Sequence, residues 1–456
     1  MFCCVLFVVL SVLYFRNMTA QHLRISVVAA FACTLAREAA AQPPHSCSAA
    51  DELQLRVLSA ASAATWDAAC LDGSSPAYWF SIRNASRGAP WMISLEGGAW
   101  CWTVNGTESG NPFESCWSRA QSNLGTSNGL SATTCASGIT SSDVAVNPTF
   151  AGFNQAFVHY CDGSFMTSSN AQPVPVPGTE SSLFFRGRNN LRAVLEDLIF
   201  SYGLGGGTER VVLTGGSAGG QATYFAADWV RSAVLSRARF PTLAAFASIA
   251  DAGMFLDAAD FNGVHQYRGR LVTALPLWKS LEARTLPSAC LDARSDPTDC
   301  FYPQWSALYL ATPLFVLQSN IDAEQLRDDG QMPCCPLVAC SELSPFPDPR
   351  GACNATGMAY LDAYQTQLRA AVTTVVGGRA GLGAWSDSCF FHVQSGDDGG
   401  WVNRTVNGVS MRDAVGSWWA GISGDIPFEP VQLIDASAFP GGNPSCPFPP
   451  PPLTLA

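Results

Sequence analysis

Short, nearly continuous apolar runs punctuate the chain at Trp91–Leu95, Ala156–Tyr160, Val211–Thr214, Leu243–Ile249, Pro313–Gln318 and Cys389–His392. Runs of this kind predict strands buried on both faces, as in a parallel sheet with helices on each side. Between them the apolar period changes. Leu191, Leu195, Leu198 and Tyr202 share one face of a helix starting near Asn190, and Leu361, Tyr364, Leu368 and Val372 share one face of another. Strands alternating with helices predict an α/β fold with a mainly parallel sheet. Residues 254–309 are long and irregular and are expected to form a cap or insert. Ser168–Ser182, rich in Ser, Pro and Gly, is expected to be a loop.

A single domain over residues 48–446 accounts for this pattern. The Pro-rich tail, residues 447–456, is expected to be disordered. Residues 1–41 read as a targeting region. Its two apolar runs, Phe2–Phe15 and Ile25–Leu35, are both shorter than the roughly 20 residues that span a bilayer. His22 and Arg24 flank the second run and Ala39-Ala40-Ala41 follows it, which predicts a signal peptide, well proportioned if translation starts at Met18. The alternative is a signal anchor from Met1 that holds the protein in the secretory membrane system.

Composition narrows the class. Of 456 residues, 48% are hydrophobic and 13% charged, enough for a large core. A net charge of -11 disfavours nucleic acid and anionic membranes as partners. Three of the 17 cysteines (Cys3, Cys4, Cys33) precede residue 41, so an even set remains, as a disulfide framework requires. These are Cys47, Cys70, Cys101, Cys116, Cys135, Cys161, Cys290, Cys300, Cys334, Cys335, Cys340, Cys353, Cys389 and Cys446. No pair has CxxC spacing and histidines are few, so no metal or other cofactor is expected. Sequons at Asn84, Asn105, Asn354 and Asn403 join the cysteines in pointing to the secretory route and an extracellular or cell-wall destination.

The segment Val211-Val-Leu-Thr-Gly215-Gly-Ser217-Ala-Gly219-Gly220 satisfies G-x-S-x-G, with a strand-like run before it and a helix-compatible stretch, Gln221–Val230, after it. This is the context of a nucleophile elbow. The tight turn needs small flanking residues, exposes the serine hydroxyl and sets it at a helix N-terminus that favours developing negative charge. Ser217 is therefore the expected nucleophile, although the same string also suits a plain Gly-rich turn. Hydroxyl attack on an ester needs a base, usually histidine. His22 and His45 lie in or beside the targeting region, His159 precedes the serine, and His265 follows too soon to leave room for a strand carrying the acid. His392 follows a strand-like run and precedes the polar loop Gln394–Gly400, so it is the expected base. Asp322, after the strand-like Leu314–Gln318, is the expected acid, with Glu324, Asp328, Asp329 and Asp251 as alternatives. The Ala218 amide and amides of the Gly-rich loop in Ile93-Ser-Leu-Glu-Gly97-Gly98-Ala99-Trp100 are expected to form the oxyanion hole, with Trp100 beside the substrate, although that loop alone also suits a plain turn after an edge strand.

The motifs also run in a familiar order. Cys70-Leu-Asp-Gly-Ser-Ser-Pro-Ala-Tyr, Leu95-Glu-Gly-Gly-Ala-Trp-Cys101, Tyr160-Cys-Asp-Gly-Ser164, Leu183-Phe-Phe-Arg-Gly187, Gly216-Ser-Ala-Gly-Gly220, Asp251-Ala-Gly253, Thr312-Pro-Leu-Phe-Val and Ser388-Cys-Phe-Phe-His-Val-Gln394 resemble the successive motifs of the pectin acetylesterase/Notum family across residues 66–420. The resemblance implies an α/β-hydrolase fold, no metal, and a Ser-Asp-His triad at Ser217, Asp322 and His392. It places the oxyanion amides at Gly98, Ala99 and Ala218. Ala99 stands where plant members typically carry a third glycine and Notum a tryptophan. Val393 stands where plant members often have cysteine, and Asp322–Leu326 is closer to Notum. These departures concern the substrate rather than the chemistry.

Three functions compete. One is hydrolysis of O-acetyl esters on an acetylated extracellular polysaccharide such as pectin. Another is removal of a fatty acyl group from an acylated protein. The third is an inactive carbohydrate-binding protein, which would have no need of Ser217, Asp322 and His392 together. The oligomeric state is not legible in the sequence.

Overall fold

A computed structural model describes residues 47–106, 111, 113–207, 210–236, 238–332, 353–438 and 442–446. The chain divides into two compact units, residues 1–48 and 49–456. Only Cys47 and Ser48 of the first are described, and every element below belongs to the second. The targeting region (1–41), the Pro-rich tail (447–456), His45, Cys334, Cys335 and Cys340 lie outside the described residues.

One sheet holds the strands β1 (Glu52–Val57), β2 (Ala77–Ser81), β3 (Trp91–Leu95), β4 (Thr133–Cys135), β5 (Asn154–Val158), β6 (Arg210–Gly216), β7 (Ala245–Asp251), β8 (Leu314–Asp322), β9 (Leu382–Phe391) and β10 (Gln432–Ile434). Their order across it is β10-β9-β8-β7-β6-β3-β5-β2-β1-β4. Every pair from β10 to β5 is parallel. From β5 through β2 and β1 to β4 the pairing is antiparallel. The central strands β7 and β8 are buried along their whole length, which explains their unbroken apolar runs.

Helices cover both faces. On one side lie α1 (Gly187–Tyr202), α2 (Ala218–Trp229), α3 (Gln266–Trp278) and, after the short α4 (Ala323–Asp328), α5 (Ala355–Val376), whose apolar residues share one core with Trp91, Ile93, Leu95, Leu213 and Val316. On the other, α6 (Met411–Ser423) packs Met411, Val415, Trp418 and Trp419 against Met92, Val212, Ile249 and Phe315. Leu191, Leu195 and Leu198 of α1 are fully buried, each stabilising the fold by about 1.5–3 kcal/mol. The helix ends at Gly203, whose left-handed φ of 76° lets its amide bond the Leu198 carbonyl.

Several expected elements differ from the observed ones. Helix α1 starts at Gly187, three positions before Asn190. The strand expected at Ala156–Tyr160 runs Asn154–Val158, because the polar Asn154 and Gln155 are buried and paired in register with Trp91 and Met92. The strand expected at Cys389–His392 begins at Leu382, since Ser386, Asp387 and Ser388 are buried within the sheet. Ser388 Oγ donates to Asp435 at 2.8 Å, and Gln394 Nε2 to Asp387 at 3.0 Å. Residues 254–309 contain α3 and a second short helix, Ser288–Ala293. Tyr267, Trp278, Phe301 and Tyr302 bury themselves there, and a Cys290–Cys300 disulfide ties the segment.

Candidate active site

Strand β6 ends at Gly216 and α2 starts at Ala218, so Ser217 alone makes the turn between them. Its backbone sits at φ 56°, ψ -123°, a conformation that costs a non-glycine residue on the order of 1–3 kcal/mol. Two bonds hold it there. The Ser217 amide donates to the Asp251 carbonyl at 2.9 Å, and its carbonyl accepts from the Gln221 amide at 2.9 Å. The glycine at 219 is demanded by contact, because a Cβ there would run into the Leu95 carbonyl oxygen. The elbow is thus wedged against the end of β3, where Leu95 pairs with Gly215.

The loop after β3 faces the same turn. Gly98 has φ 125° and Ala99 φ 53°. Arg119, buried in this loop's flank, donates from Nη1 to the Gly98 carbonyl at 2.8 Å. In a trans peptide the Ala99 amide points opposite to that carbonyl, so Arg119 fixes its direction. The Cys101–Cys116 disulfide closes the far side of the loop. Glu96 accepts from the Tyr160 amide at 2.7 Å and lies 2.7 Å from His159 Nδ1. His159 Nε2 is 3.0 Å from the Thr126 carbonyl. Burial acts to lower the His159 pKa, but the Glu96 carboxylate outweighs it and the net shift is upward. That histidine is a structural bolt for the loop.

Asp322 is the last residue of β8, and His392 follows the last residue of β9. The two strands pair in register with Asp322 opposite Phe391. His392 Nδ1 lies 2.9 Å from Asp322 Oδ1 and 3.0 Å from Oδ2. A carboxylate only accepts, so Nδ1 carries the proton in this arrangement. Asp322 is fully buried and its remaining valences are met. Oδ1 accepts the amides of Glu324 and Gln325 at 3.1 Å each, capping α4, and Oδ2 accepts from Gln318 Nε2 at 2.8 Å. The Phe255 ring stands edge-on to His392 at 6.2 Å.

The other acids have different surroundings. Asp251 Oδ2 accepts the amides of Gln394 at 2.8 Å and Ser395 at 2.6 Å, pinning the loop after His392. Glu324 is pushed up to about 8 by burial and the neighbouring Asp328 charge. Asp329 is pushed up to about 7 by burial, even with Arg270 at 3.0 Å. Asp328 pairs with Arg327 at 2.9 Å. His265 lies in the 254–309 segment, half exposed and 2.8 Å from Asp257.

Two cavities meet at Ser217. One is an open groove of about 730 Å³, lined by Gly97, Gly98, Ala99, His392 and Val393 near the serine and by Leu53, Phe157 and Thr134 at its far end. The other is a pocket of about 30 Å³ lined by Ala99, Trp100, Trp102, Phe165, Ala218, Phe255, Arg270 and Asp329. Trp100 forms one wall, with ring centroids 5.4 Å from Trp102 and 5.1 Å from Tyr267. Arg119, Gln318, Phe255 and Arg270 escaped the sequence reading because they belong to no motif. They reach the site only through the fold.

Each cysteine among the described residues is disulfide-bonded. Cys70 joins Cys161, Cys101 joins Cys116, Cys290 joins Cys300 and Cys389 joins Cys446. Cys47, Cys135 and Cys353 are bonded as well. The acceptor asparagines Asn84, Asn105, Asn354 and Asn403 are all exposed. Among the described residues no helix is long and apolar enough to cross a membrane.

The pectinacetylesterase family model matches residues 47–447. Pectin acetylesterase 11 of Arabidopsis thaliana is 29% identical over 398 residues, which covers 85% of this chain and 91% of that protein. The palmitoleoyl-protein carboxylesterase Notum of Drosophila melanogaster is 29% identical over 280 residues, covering 60% of this chain and 39% of that protein. The solved structure of the Wnt deacylase Notum from Drosophila overlays with a TM-score of 0.69 at 24% identity, over 87% of this chain and 100% of that one, and supports the α/β-hydrolase-like fold.

Proposed function

The chain belongs to the pectinacetylesterase family and is a carboxylic ester hydrolase; within that class we propose that it is a secreted esterase that removes O-acetyl groups from an extracellular polysaccharide. The observation that carries this reading is the pocket of about 30 Å³ at Ser217 and Ala218. A volume of that size holds a water molecule or a methyl group, whereas sites for larger ligands run to about 300–1,000 Å³. Trp100, Phe255 and the Arg270–Asp329 pair close it on the far side. The acetyl group enters this pocket, and the sugar that carries it lies in the open groove.

The Asp322–His392 pair beside the Ser217 turn supports the following chemistry. Ser217 Oγ attacks the ester carbonyl carbon while His392 Nε2 takes the hydroxyl proton. Asp322, bonded to Nδ1, holds the ring's tautomer and stabilises the imidazolium. The amides of Ala218, Gly98 and Ala99 receive the oxyanion. Collapse of the tetrahedral species breaks the C–O bond to the sugar, and His392 returns the proton to the departing hydroxyl. Water then attacks the acetyl-enzyme with His392 again as base, and acetate leaves with Ser217 restored. The bonded cysteines and exposed sequons support passage through an oxidising secretory route.

The groove of about 730 Å³, with Leu53, Leu124, Ile139 and Phe157 in its lining, is large enough to favour a second reading, a Notum-like deacylase with a fatty chain in that groove. A series of p-nitrophenyl esters from acetate to palmitate decides between them. The acetylesterase gives its highest kcat/KM on acetate. A steady rise from acetate to octanoate replaces it with the deacylase.

A further inference from the structure

The open groove has a chemical character that the acetylesterase reading, on which this inference rests, leaves open. Its floor is the sheet face beneath the Gly98 loop. Ser94, Gln155 and Thr214 lie there on the adjacent strands β3, β5 and β6, and Thr134, Thr140 and Ser395 stand along its sides. Ser94 Oγ and Gln155 Nε2 have no hydrogen-bond partner among the described residues, although the two residues are only 6% and 1% exposed. Buried polar atoms left this way cost on the order of 1–3 kcal/mol each. They are retained most readily where a ligand completes them.

Formal charge in the groove is sparse and already engaged. Apart from His392, the described lining carries Glu96, Glu324 and Arg327. Glu96 holds His159 and the Tyr160 amide. The Arg327 guanidinium is bonded to Glu324 and Asp328. A polyuronate in this groove would thus meet the Glu96 carboxylate, the buried carboxyl of Glu324 and a guanidinium already paired with Asp328, within a protein of net charge -11. A neutral sugar chain presents hydroxyls that both donate and accept, which suits amide and hydroxyl side chains, and its apolar ring faces suit Phe157 and Phe113.

We propose that the groove is the binding site for an uncharged O-acetylated glycan, with Gln155 and Ser94 as its hydrogen-bonding floor, and that free uronate carboxylates are selected against. Acetylated homogalacturonan tests this with the purified secreted protein, because methyl-esterifying its carboxylates removes the charge and keeps the backbone. At low salt, kcat/KM for acetate release is expected to be on the order of tenfold higher on the methyl-esterified polymer, and acetylated mannan should match it. The gap should narrow as salt rises. Equal or faster release from the unesterified polymer overturns the charge selection. Gln155→Leu, or Ser94→Ala should the first not fold, should raise KM on acetylated mannan several-fold with kcat little changed. An unchanged KM overturns the assignment of the floor. Either result leaves acetate release itself intact, whereas failure of the wild-type protein to release acetate from all three polymers sinks the acetylesterase reading instead.

Discussion

Asp322 and His392 are 70 positions apart in the chain and meet at 2.9 Å because β8 and β9 run parallel with their ends in register. The same Asp322 oxygen that faces Nδ1 also caps α4 through the Glu324 and Gln325 amides. Position and orientation of the carboxylate are therefore set by the backbone before the histidine arrives. Asp322→Asn keeps an acceptor for the cap, so the melting temperature should move little. The amide can turn an N–H toward Nδ1 and select the wrong tautomer, and kcat should fall by roughly 10⁴. Asp322→Ala should lose activity similarly and also destabilise the fold by about 1 kcal/mol or more, through the lost cap. Kinetics and thermal melts on both variants check this, and an active Asp322→Asn protein would remove Asp322 from the mechanism.

The turn at Ser217 makes a separate prediction about stability. Its φ of 56° is strained for any side chain. Ser217→Ala should abolish esterase activity and retain the strain, since alanine keeps the Cβ. Ser217→Gly should be equally inactive but more stable than Ser217→Ala by about 1 kcal/mol. Denaturant unfolding of the two variants measures the difference. Full activity in Ser217→Ala would dispose of the serine mechanism.

Much of this was legible in the sequence, for identifiable reasons. Strands β3, β6, β7 and β8 are buried on both faces, so their apolar runs are continuous and read directly. The G-x-S-x-G string read well because contact with Leu95 leaves no room for a side chain at Gly219. Strand β9 was read too short, because its first half carries Ser386, Asp387 and Ser388 into the interior. The antiparallel strands β1, β2 and β4 were missed. Strand β4 is only three residues long, Glu52 and Arg56 make β1 look like a surface segment, and β2 is a short run, Ala77–Ser81, buried over its first three residues. The small pocket was not legible at all, since Trp100, Phe255 and Arg270 converge from three separate segments.

Buried carboxyls set a pH dependence of stability. Burial pushes Asp387 up to about 7, against the Gln394 hydrogen bond and Arg404, and Asp329 is raised to about 7 in the same way. Between the ordinary carboxylate pKa of about 4 and these values the native state binds more protons than the unfolded chain. This contribution is complete below the unfolded pKa and is lost as pH rises toward 7 and beyond. Asp197 and Glu196, lowered by Arg56 and by Arg239 against the opposing effect of burial, act oppositely, but their contribution disappears only in acid, below this window. The melting temperature should fall from pH 5 to pH 8, and Asp387→Asn should flatten the fall. A midpoint that climbs over that range contradicts the assignment.

The disulfide between Cys101 and Cys116 closes a loop with a sequence separation of 15 beside the Gly98–Ala99 turn. Replacing both cysteines by serine should cost about 3 kcal/mol of stability. It should also lower kcat more than it raises KM, because the Ala99 amide loses part of its fixed direction while the groove is untouched. Alkylation of the native protein without reductant should leave peptides containing Cys70, Cys161, Cys290, Cys300, Cys389 and Cys446 unlabelled. Labelling at these positions would mean that the framework does not form.

In the acetylesterase reading, Trp100 is expected to set the acyl length limit. It lines the small pocket next to Ala99 and is braced by Trp102, Tyr267, Phe165 and Trp278, so it has no room to swing aside. Trp100→Leu removes most of an indole and leaves an apolar space continuous with the reactive serine. The variant should lose about 2–4 kcal/mol of stability, below the 3–5 kcal/mol of a full truncation to alanine. In exchange, each methylene of a longer acyl chain that fills the space is worth about 0.8 kcal/mol, near a fourfold gain in kcat/KM. The optimum in the p-nitrophenyl series should therefore move from acetate to butyrate or hexanoate. If the acyl group instead lay in the open groove, Trp100 would not touch it, and the chain-length profile of Trp100→Leu would match that of the wild type.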